Sequence, residues 1–241
     1  MKKELLFILA ILLALMLPVN GQDKKGIKVG MTSEQNLQAL TNPSLYSTTT
    51  GFDERYQGVK GSPRLLDTLL LSTVLLKDGE GYYEVNTDID VVRNTMLFIL
   101  PASGDLLEVA SAWIEELTYH TKAGDKVFRT TEGLKFDREL KGTRFYQVLS
   151  ESPHLFIKIQ DRKFLEANYT GLYSPDKRYD EYVPDDKYFI MGSDSVLYKV
   201  QLNRKSLIKV FPSQSKLINS NFSEKSGDDP EQQVIGLLRK L

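Results

Sequence analysis

The sequence predicts an α+β protein in which antiparallel β-structure dominates and helices close the chain. Short apolar or alternating segments recur about every 8–12 residues between positions 58 and 202, separated by tight turns rich in Gly, Asp and Ser. After position 202 the apolar residues follow the helical period. Together these patterns indicate a roll, a sandwich or a partial barrel of about eight to ten short strands, followed by C-terminal helices.

The most recognisable pair of strands is a hairpin. Thr73–Lys77 and Tyr82–Asn86 flank Asp78-Gly79, a dipeptide typical of two-residue hairpin turns. For the segment Ala112–Thr121, a short helix is the alternative to a strand, and we expect its Trp113 in the core. The remaining strands are predicted over Met96–Leu100, Leu106–Ala110, Ala112–Thr121, Lys126–Arg129, Arg144–Ser150, Leu155–Gln160, Arg162–Asn168, Tyr188–Met191 and Val196–Gln201.

Helices are expected after the strands. Asn203 can cap a first helix that ends before Pro212. A second is predicted over Lys216–Phe222, and a third follows Asp229-Pro230, a capping residue with proline at the first helical position. We expect the third helix to pack on the sheet rather than to dock a partner, through the apolar face formed by Val234, Leu237, Leu238 and Leu241.

The N-terminus has the pattern of a secretory signal. Lys2 and Lys3 precede a continuous apolar run, Leu5–Leu17, and a short polar exit ends at Gly21. The run is shorter than the roughly 20 residues that span a bilayer, which favours cleavage after Gly21 over an uncleaved anchor. We therefore divide the chain into a signal peptide (1–21), a polar segment expected to be flexible (22–57), a β domain (58–202) and helices packed on it (203–241).

Composition excludes several kinds of site. The chain has no Cys and two His, which excludes disulfides, thiol nucleophiles, thiolate metal sites and a three-His zinc site. The 31 basic and 32 acidic residues nearly balance, which argues against a nucleic-acid partner. Glycine patterns of nucleotide-binding loops are missing, and no apolar run after the signal is long enough for a transmembrane helix. We predict no cofactor, no metal site and no catalytic residue.

The candidate binding site is an acidic and aromatic segment before the Tyr188–Met191 strand. Carboxylates close together can bind Ca²⁺, and tyrosines beside carboxylates can hold sugars, but the spacing does not match a calcium-binding EF-hand loop. The alternative is a solvated connection between two strands, punctuated by proline. The predicted ligand-binding residues are Tyr173, Asp176, Tyr179, Asp180, Tyr182, Asp185 and Asp186.

Two further sets of residues are weaker candidates for chemistry. Asp88 and Asp90 share a face if they lie in a strand, which would suit a cation, but we expect them at a strand end beside solvent. His120 and His154 are expected to be ordinary loop or strand histidines, because the nucleophile motif G-x-S-x-G of serine hydrolases is missing.

Two regions resemble uncharacterised exported proteins of the Bacteroidetes. The first match is Gly61–Asp67 (GSPRLLD) with the strand and turn of Thr73–Gly79, and Thr87–Asp90 falls where that group has an Asp-rich strand. The second match comprises Tyr188–Ile190, Val196–Val200 and Asn203–Pro212. The resemblance covers the chain loosely from residue 58 onward. It implies a location in the cell envelope and provides no catalytic residue to carry over.

The expected function is a non-catalytic role in the cell envelope. We expect an exported protein of a Gram-negative bacterium, located in the periplasm, associated with the outer membrane or secreted. It would bind an envelope protein or a glycan on its β scaffold, or take an accessory or structural role. The alternative is an exported hydrolase that acts on glycan through carboxylates, with or without Ca²⁺.

Overall fold

A computed structural model describes residues 59–100, 103–166, 180–223 and 229–241. Ten strands form one antiparallel sheet and two more form a separate ribbon, so the predicted fold class is confirmed. The strands are β1 (Leu70–Leu76), β2 (Gly81–Asp90), β3 (Thr95–Ile99), β4 (Leu106–Ala110), β5 (Ile114–Thr121), β6 (Gly124–Thr130), β7 (Phe145–Ser150), β8 (Phe156–Ile159), β9 (Arg162–Leu165), β10 (Glu181–Pro184), β11 (Lys187–Met191) and β12 (Leu197–Val200).

The large sheet has the order β12-β11-β8-β7-β6-β5-β1-β2-β3-β4. Strands β1 to β4 form a meander, and β5 then returns to the free edge of β1. The later strands extend the sheet from β5 outward and end at β12. The hairpin between β1 and β2 turns at Asp78-Gly79, where the sequence predicts it. Gly79 adopts the positive φ of 89° that a tight turn requires.

The half of the sheet that contains β1 to β6 buries its apolar face by curling over it. Val74, Ile89, Phe98, Leu117 and other buried residues of these strands form one cluster, to which no helix of the described chain contributes. The curl brings the start of β7 against the turn between β2 and β3, although β6, β5 and β1 separate β7 from β2 in the strand order.

The other half of the sheet is covered on both faces. Three helices cover one face: α1 (Arg204–Val210), α2 (Ser215–Asn221) and α3 (Pro230–Leu238). Their apolar side chains pack with Phe156, Ile190 and Val200, as the terminal apolar face predicts. The opposite face is covered by residues 134–140 of the connection between β6 and β7.

Capping side chains fix the starts of two helices. Asn203 accepts a hydrogen bond of 2.9 Å from the backbone N–H of Ser206 and so begins α1. Asp229 accepts a bond of 3.0 Å from the N–H of Glu231 at the start of α3, where Pro230 takes the first helical position. No helix in the described ranges is long and apolar enough to span a membrane.

Only one of the two strands in the separate ribbon, β9, is predicted from the sequence. Strand β10 pairs antiparallel with β9, and Lys60 lies parallel to β10, exchanging backbone hydrogen bonds with Asp180 and Tyr182. The sequence predicts β9 but treats 181–184 as part of a loop, because this stretch is short, polar and ends in proline. It forms a strand because it pairs on both sides.

Trp113 is exposed, which corrects the expectation that it lies in the core. It is 46% exposed and lies in a 3-10 turn, Ser111–Trp113, immediately before β5. The alternating burial that starts at Ile114 therefore does not include it. The prediction of a strand over most of this segment is correct.

Candidate functional site

The predicted acidic and aromatic site is described only at its C-terminal end. Tyr173, Asp176 and Tyr179 lie outside the described residues. Asp180 and Tyr182 lie at the start of β10, and Tyr182 stacks at an angle on Phe164 of β9 with ring centroids 5.0 Å apart. Asp185 and Asp186 form the turn between β10 and β11.

Asp185 and Asp186 bind lysines that belong to opposite faces of the sheet. Asp185 lies 3.1 Å from the ammonium of Lys187, which also contacts Asp161 at 2.9 Å. Asp186 lies 3.0 Å from the ammonium of Lys158. Asp185 therefore pairs with the first residue of β11 and Asp186 with the neighbouring strand β8, and their role in binding a ligand stays a prediction.

Lys158 connects the sheet to α3. Its ammonium contacts Glu231 of α3 at 3.0 Å as well as Asp186, and Tyr188 donates a hydrogen bond of 2.7 Å to the same Glu231 oxygen. Burial lowers the Lys158 pKa, but hydrogen bonds and charge from Glu231 and Asp186 outweigh it and raise that pKa above its usual value. Burial and the bond to Glu231 raise the pKa of Tyr188 to about 12.

Asp88 and Asp90 are fully buried, which corrects the expectation that they lie beside solvent. Strand β2 runs to Asp90, and residues 63–65 pair with its last part and cover it. Asp88 accepts bonds from the Arg64 Nε at 2.8 Å and from the N–H groups of Ile89 and Leu66. Asp90 accepts bonds through Oδ1 from the N–H groups of Val92 and Arg93.

These two aspartates have no room for a cation or a substrate. Burial raises the pKa of each carboxyl, and the hydrogen bonds and the arginine charges offset part of this effect. No group of three or more His, Asp or Glu in the described part of the chain could hold a metal ion. A raised acidic pKa in an open cleft would support a carboxylate hydrolase, but these two groups are closed off.

His120 makes a chain of contacts that the sequence does not predict. Its Nε2 lies 2.8 Å from the Thr73 hydroxyl, and its Nδ1 lies 3.1 Å from Asp125. These three residues are neighbours on β1, β5 and β6, on an open face of the sheet. His154 instead packs its ring on that of Phe211, with centroids 4.7 Å apart.

The connection between β6 and β7 builds a cleft on the helix-free face of the sheet. Phe136 pairs parallel with Leu197 of β12, and backbone bonds join Asp137 N–H to Leu197 and Leu197 N–H to Lys135. The Phe136 ring meets that of Phe189 edge to face at 5.1 Å. The connection thus covers the edge strand β12 and places its basic residues beside those of the sheet.

Two clefts adjoin along this connection. The first has a volume of about 320 Å³ and lies between residues 137–144 and the strands β8, β11 and β12. The second has a volume of about 380 Å³ and lies between Arg138, the end of β12 and α1. Asp137, Arg138 and Lys199 line both of them, so the two form one continuous depression that we call the paired cleft.

The paired cleft is rich in cations that are not neutralised by carboxylates. Lys187 is the one lining cation held by carboxylates, those of Asp161 and Asp185. Six others form no ion pair with any residue in the described ranges. Five of the six are exposed, while Arg144 is half-buried and donates a hydrogen bond of 3.3 Å to the Lys141 carbonyl. These six are Arg138, Lys141, Arg144, Lys199, Lys205 and Lys209.

A third cleft differs in this respect. It has a volume of about 330 Å³, and its two cations are Lys77 and Arg129. Lys77 pairs with Glu132, and Arg129 pairs with Glu116 at 2.8 Å and with Glu151 at 2.6 Å. Because both of its cations are already neutralised by carboxylates of the chain, it offers little to an anionic ligand.

Comparison with known proteins gives no assignment. No family model, curated protein or solved structure matches the chain. The candidate site therefore stands on its own geometry.

Local sequence patterns do not predict the paired cleft. Its cations come from residues 138–144, where Glu139 and Leu140 intervene, and from residues 199–209, which contain four basic residues and no acidic one. A useful signal is that Lys205 and Lys209 lie four residues apart on one predicted helix. The pairing of Phe136 with Leu197 brings the cations of residues 138–144 next to those of residues 199–209, and no local pattern predicts this pairing.

Proposed function

We propose that the protein is an exported, non-catalytic binding protein of the cell envelope. The observation that supports this proposal is the contrast between acidic and basic groups. Asp88, Asp90, Asp161, Asp185 and Asp186 are buried or held in ion pairs. The six cations of the paired cleft, in contrast, line an open depression and form no ion pair with the residues that the structure describes. The cleft also contains the carboxylates of Asp137 and Glu139, but its seven lining cations outnumber its three lining carboxylates, which favours holding an anionic ligand.

The envelope address is supported by the sequence. A positive N-terminus, a 13-residue apolar run and a small-residue exit at Gly21 are typical of a cleaved secretory signal. The resemblance to exported proteins of the Bacteroidetes points to the same location. In an envelope, the ligands within reach are glycans, lipids and other exported proteins.

A hydrolase is the second candidate, and the Thr73, His120 and Asp125 contacts favour it. With the proton on Nδ1, His120 can accept a hydrogen bond from the Thr73 hydroxyl while Asp125 orients the ring. The His120 and Asp125 side chains are exposed, and neither lines a described cleft. Catalysis needs a site that excludes water and stabilises an oxyanion, so we prefer binding.

Retention and turnover can be separated in one experiment. The mature protein, from Gln22 onward, is incubated with polysaccharide and membrane fractions of a Gram-negative envelope. Bound protein is measured by sedimentation, and new reducing ends and free carboxylates are measured in the supernatant. We expect saturable retention without product. Product release that disappears in Thr73→Ala or His120→Ala would instead establish the hydrolase and overturn the binding role.

A further inference from the structure

We propose that the paired cleft binds an acidic oligosaccharide whose carboxylate or sulfate groups pair with the six cations that no described carboxylate neutralises. This inference rests on the proposed binding function and names its ligand class. The protein as a whole carries a formal net charge of −1, so the cationic character belongs to this surface and not to the whole chain.

The distribution of the cations calls for a ligand with several anionic groups. Lys141 and Arg144 line only the first cleft, and Lys205 and Lys209 line only the second. Arg138 and Lys199 lie where the two clefts meet. A single small anion can reach one of these pairs at a time. A chain with repeated negative groups can reach all three.

Neutral and acidic groups between the cations suit sugar hydroxyls. The carboxylates of Asp137 and Glu139 line the first cleft and form no ion pair. Gln201 and Ser206 line the second cleft. Gln201 Oε1 accepts a hydrogen bond from Asn203 and Ser206 Oγ accepts one from the Gln201 backbone N–H, so these two residues offer a ligand the amide N–H groups and the hydroxyl proton. A ligand that carries hydroxyl groups as well as negative groups can hydrogen-bond to these donors and to the carboxylates and also pair with the cations. A purely anionic ligand would be repelled by Asp137 and Glu139.

The lining of the first cleft argues against a nucleic acid. Ile159 and Phe189 line this cleft and are 2% and 4% exposed, so the Phe189 ring is covered. Phe189 is the one aromatic residue among the lining residues of the paired cleft. Single-stranded nucleic acids are held by exposed aromatic platforms on which bases stack, and a covered ring cannot supply one.

The test is a titration of the full mature chain by isothermal calorimetry at low salt. The probes are oligogalacturonate, a sulfated oligosaccharide of similar length, a neutral dextran oligomer, single-stranded DNA and oligoglutamate. We expect one or both acidic oligosaccharides to bind, with affinity that falls as salt is added because exposed charges are screened. The two acidic sugars distinguish carboxylate from sulfate. Dextran should not bind.

Matched variants locate the site. Arg138→Gln with Lys199→Gln should weaken binding of an acidic oligosaccharide at least tenfold. The control is Lys122→Gln with Lys126→Gln, which removes the same charge from exposed lysines remote from the cleft. It should leave the affinity within twofold. Lys205→Gln with Lys209→Gln should weaken a long oligomer but not a dimer, and circular dichroism checks that each variant folds.

Several results would overturn the assignment. DNA or oligoglutamate binding as tightly as the sugars would do so, as would an equal loss in the control. Envelope retention that is unchanged by Arg138→Gln with Lys199→Gln would overturn the cleft assignment and leave the binding role standing. Sugar cleavage by the wild-type protein would overturn the proposed function itself.

Discussion

The side-chain oxygen of Asn94 accepts a hydrogen bond of 3.1 Å from the backbone N–H of Phe145, 51 residues along the chain. Asn94 lies in the turn between β2 and β3, and Phe145 begins β7. The same side chain donates bonds of 3.4 Å to the carbonyls of Val91 and Val92. The buried Asn94 side chain thus stabilises the turn between β2 and β3 and connects it to β7, which the curvature of the sheet brings close.

Replacing Asn94 should loosen this closure. Asn94→Ala leaves the Phe145 N–H buried without a partner, which costs about 1–3 kcal/mol in the free energy of unfolding. Alanine at this position should also lower the free energy of unfolding by about 1 kcal/mol more than glycine does, because the backbone is left-handed there, with a φ of 58°. Urea unfolding of Asn94→Ala and Asn94→Gly measures both effects. If both variants unfold within about 0.5 kcal/mol of the wild type, the closure contributes little.

Local patterns in the sequence predict most strands, and distant pairs explain what they miss. The Asp78-Gly79 turn and the alternating strands beside it are encoded by neighbours in the chain, so they are predictable. The burial of Asp88 is not, because its partner Arg64 lies 24 residues away in a segment without a strand pattern. The paired cleft depends likewise on Phe136 reaching Leu197. Such contacts require the tertiary fold.

Asp90 should make the protein less stable as pH rises. Burial raises its pKa, and Oδ2 has no hydrogen-bond partner among the described residues. With a raised pKa, the native state binds the proton of the Asp90 carboxyl more tightly than the unfolded chain does. This proton binding stabilises the native state fully at pH values below the ordinary Asp pKa, and the stabilisation is lost as pH rises through the raised pKa of Asp90. Asp90→Asn removes the titration, so its stability relative to the wild type should increase as pH rises above the ordinary Asp pKa of about 4.

Chemical denaturation at several pH values tests the Asp90 prediction. Asn at 90 keeps an oxygen for the N–H groups of Val92 and Arg93. The control is Asp105→Asn, at an exposed carboxylate, which should not show the same trend. A difference between Asp90→Asn and wild type that is constant with pH would contradict the raised pKa.

Lys158 should be needed for docking of α3. Lys158→Met leaves the carboxylates of Asp186 and Glu231 without their shared cation, and should cost about 2 kcal/mol. Glu231→Gln should cost less, about 1 kcal/mol, because the Tyr188 hydroxyl can still donate to the amide oxygen and Lys158 keeps Asp186.

Hydrogen exchange locates the effect of Lys158. Lys158→Met should speed exchange of the backbone amides of α3. Lys187→Met removes a lysine with two ion pairs on the other face of the sheet, those to Asp161 and Asp185. It should lower stability without a selective effect on α3. Equal protection of α3 in both variants would show that its apolar face alone holds the helix.

Gly61 should be required for the ribbon to attach. It has a φ of 75°, and a Cβ at this position would lie 2.7 Å from the carbonyl oxygen of Tyr182. Gly61→Ala therefore pays about 1–2 kcal/mol for the left-handed backbone and a further cost for the clash. It should also disrupt the backbone bond from Tyr182 N–H to Lys60, which is 2.9 Å long.

Gly133 separates the two costs at Gly61. Its φ of 77° is almost the same, but nothing lies within 4 Å of its added Cβ, so Gly133→Ala pays for the backbone alone. In urea unfolding, Gly61→Ala should be the less stable variant, with faster exchange of the Tyr182 amide. Since both variants strain the backbone equally, equal losses would mean that residues 60–61 move away from β10 easily and that the ribbon is held by the β9 pairing instead.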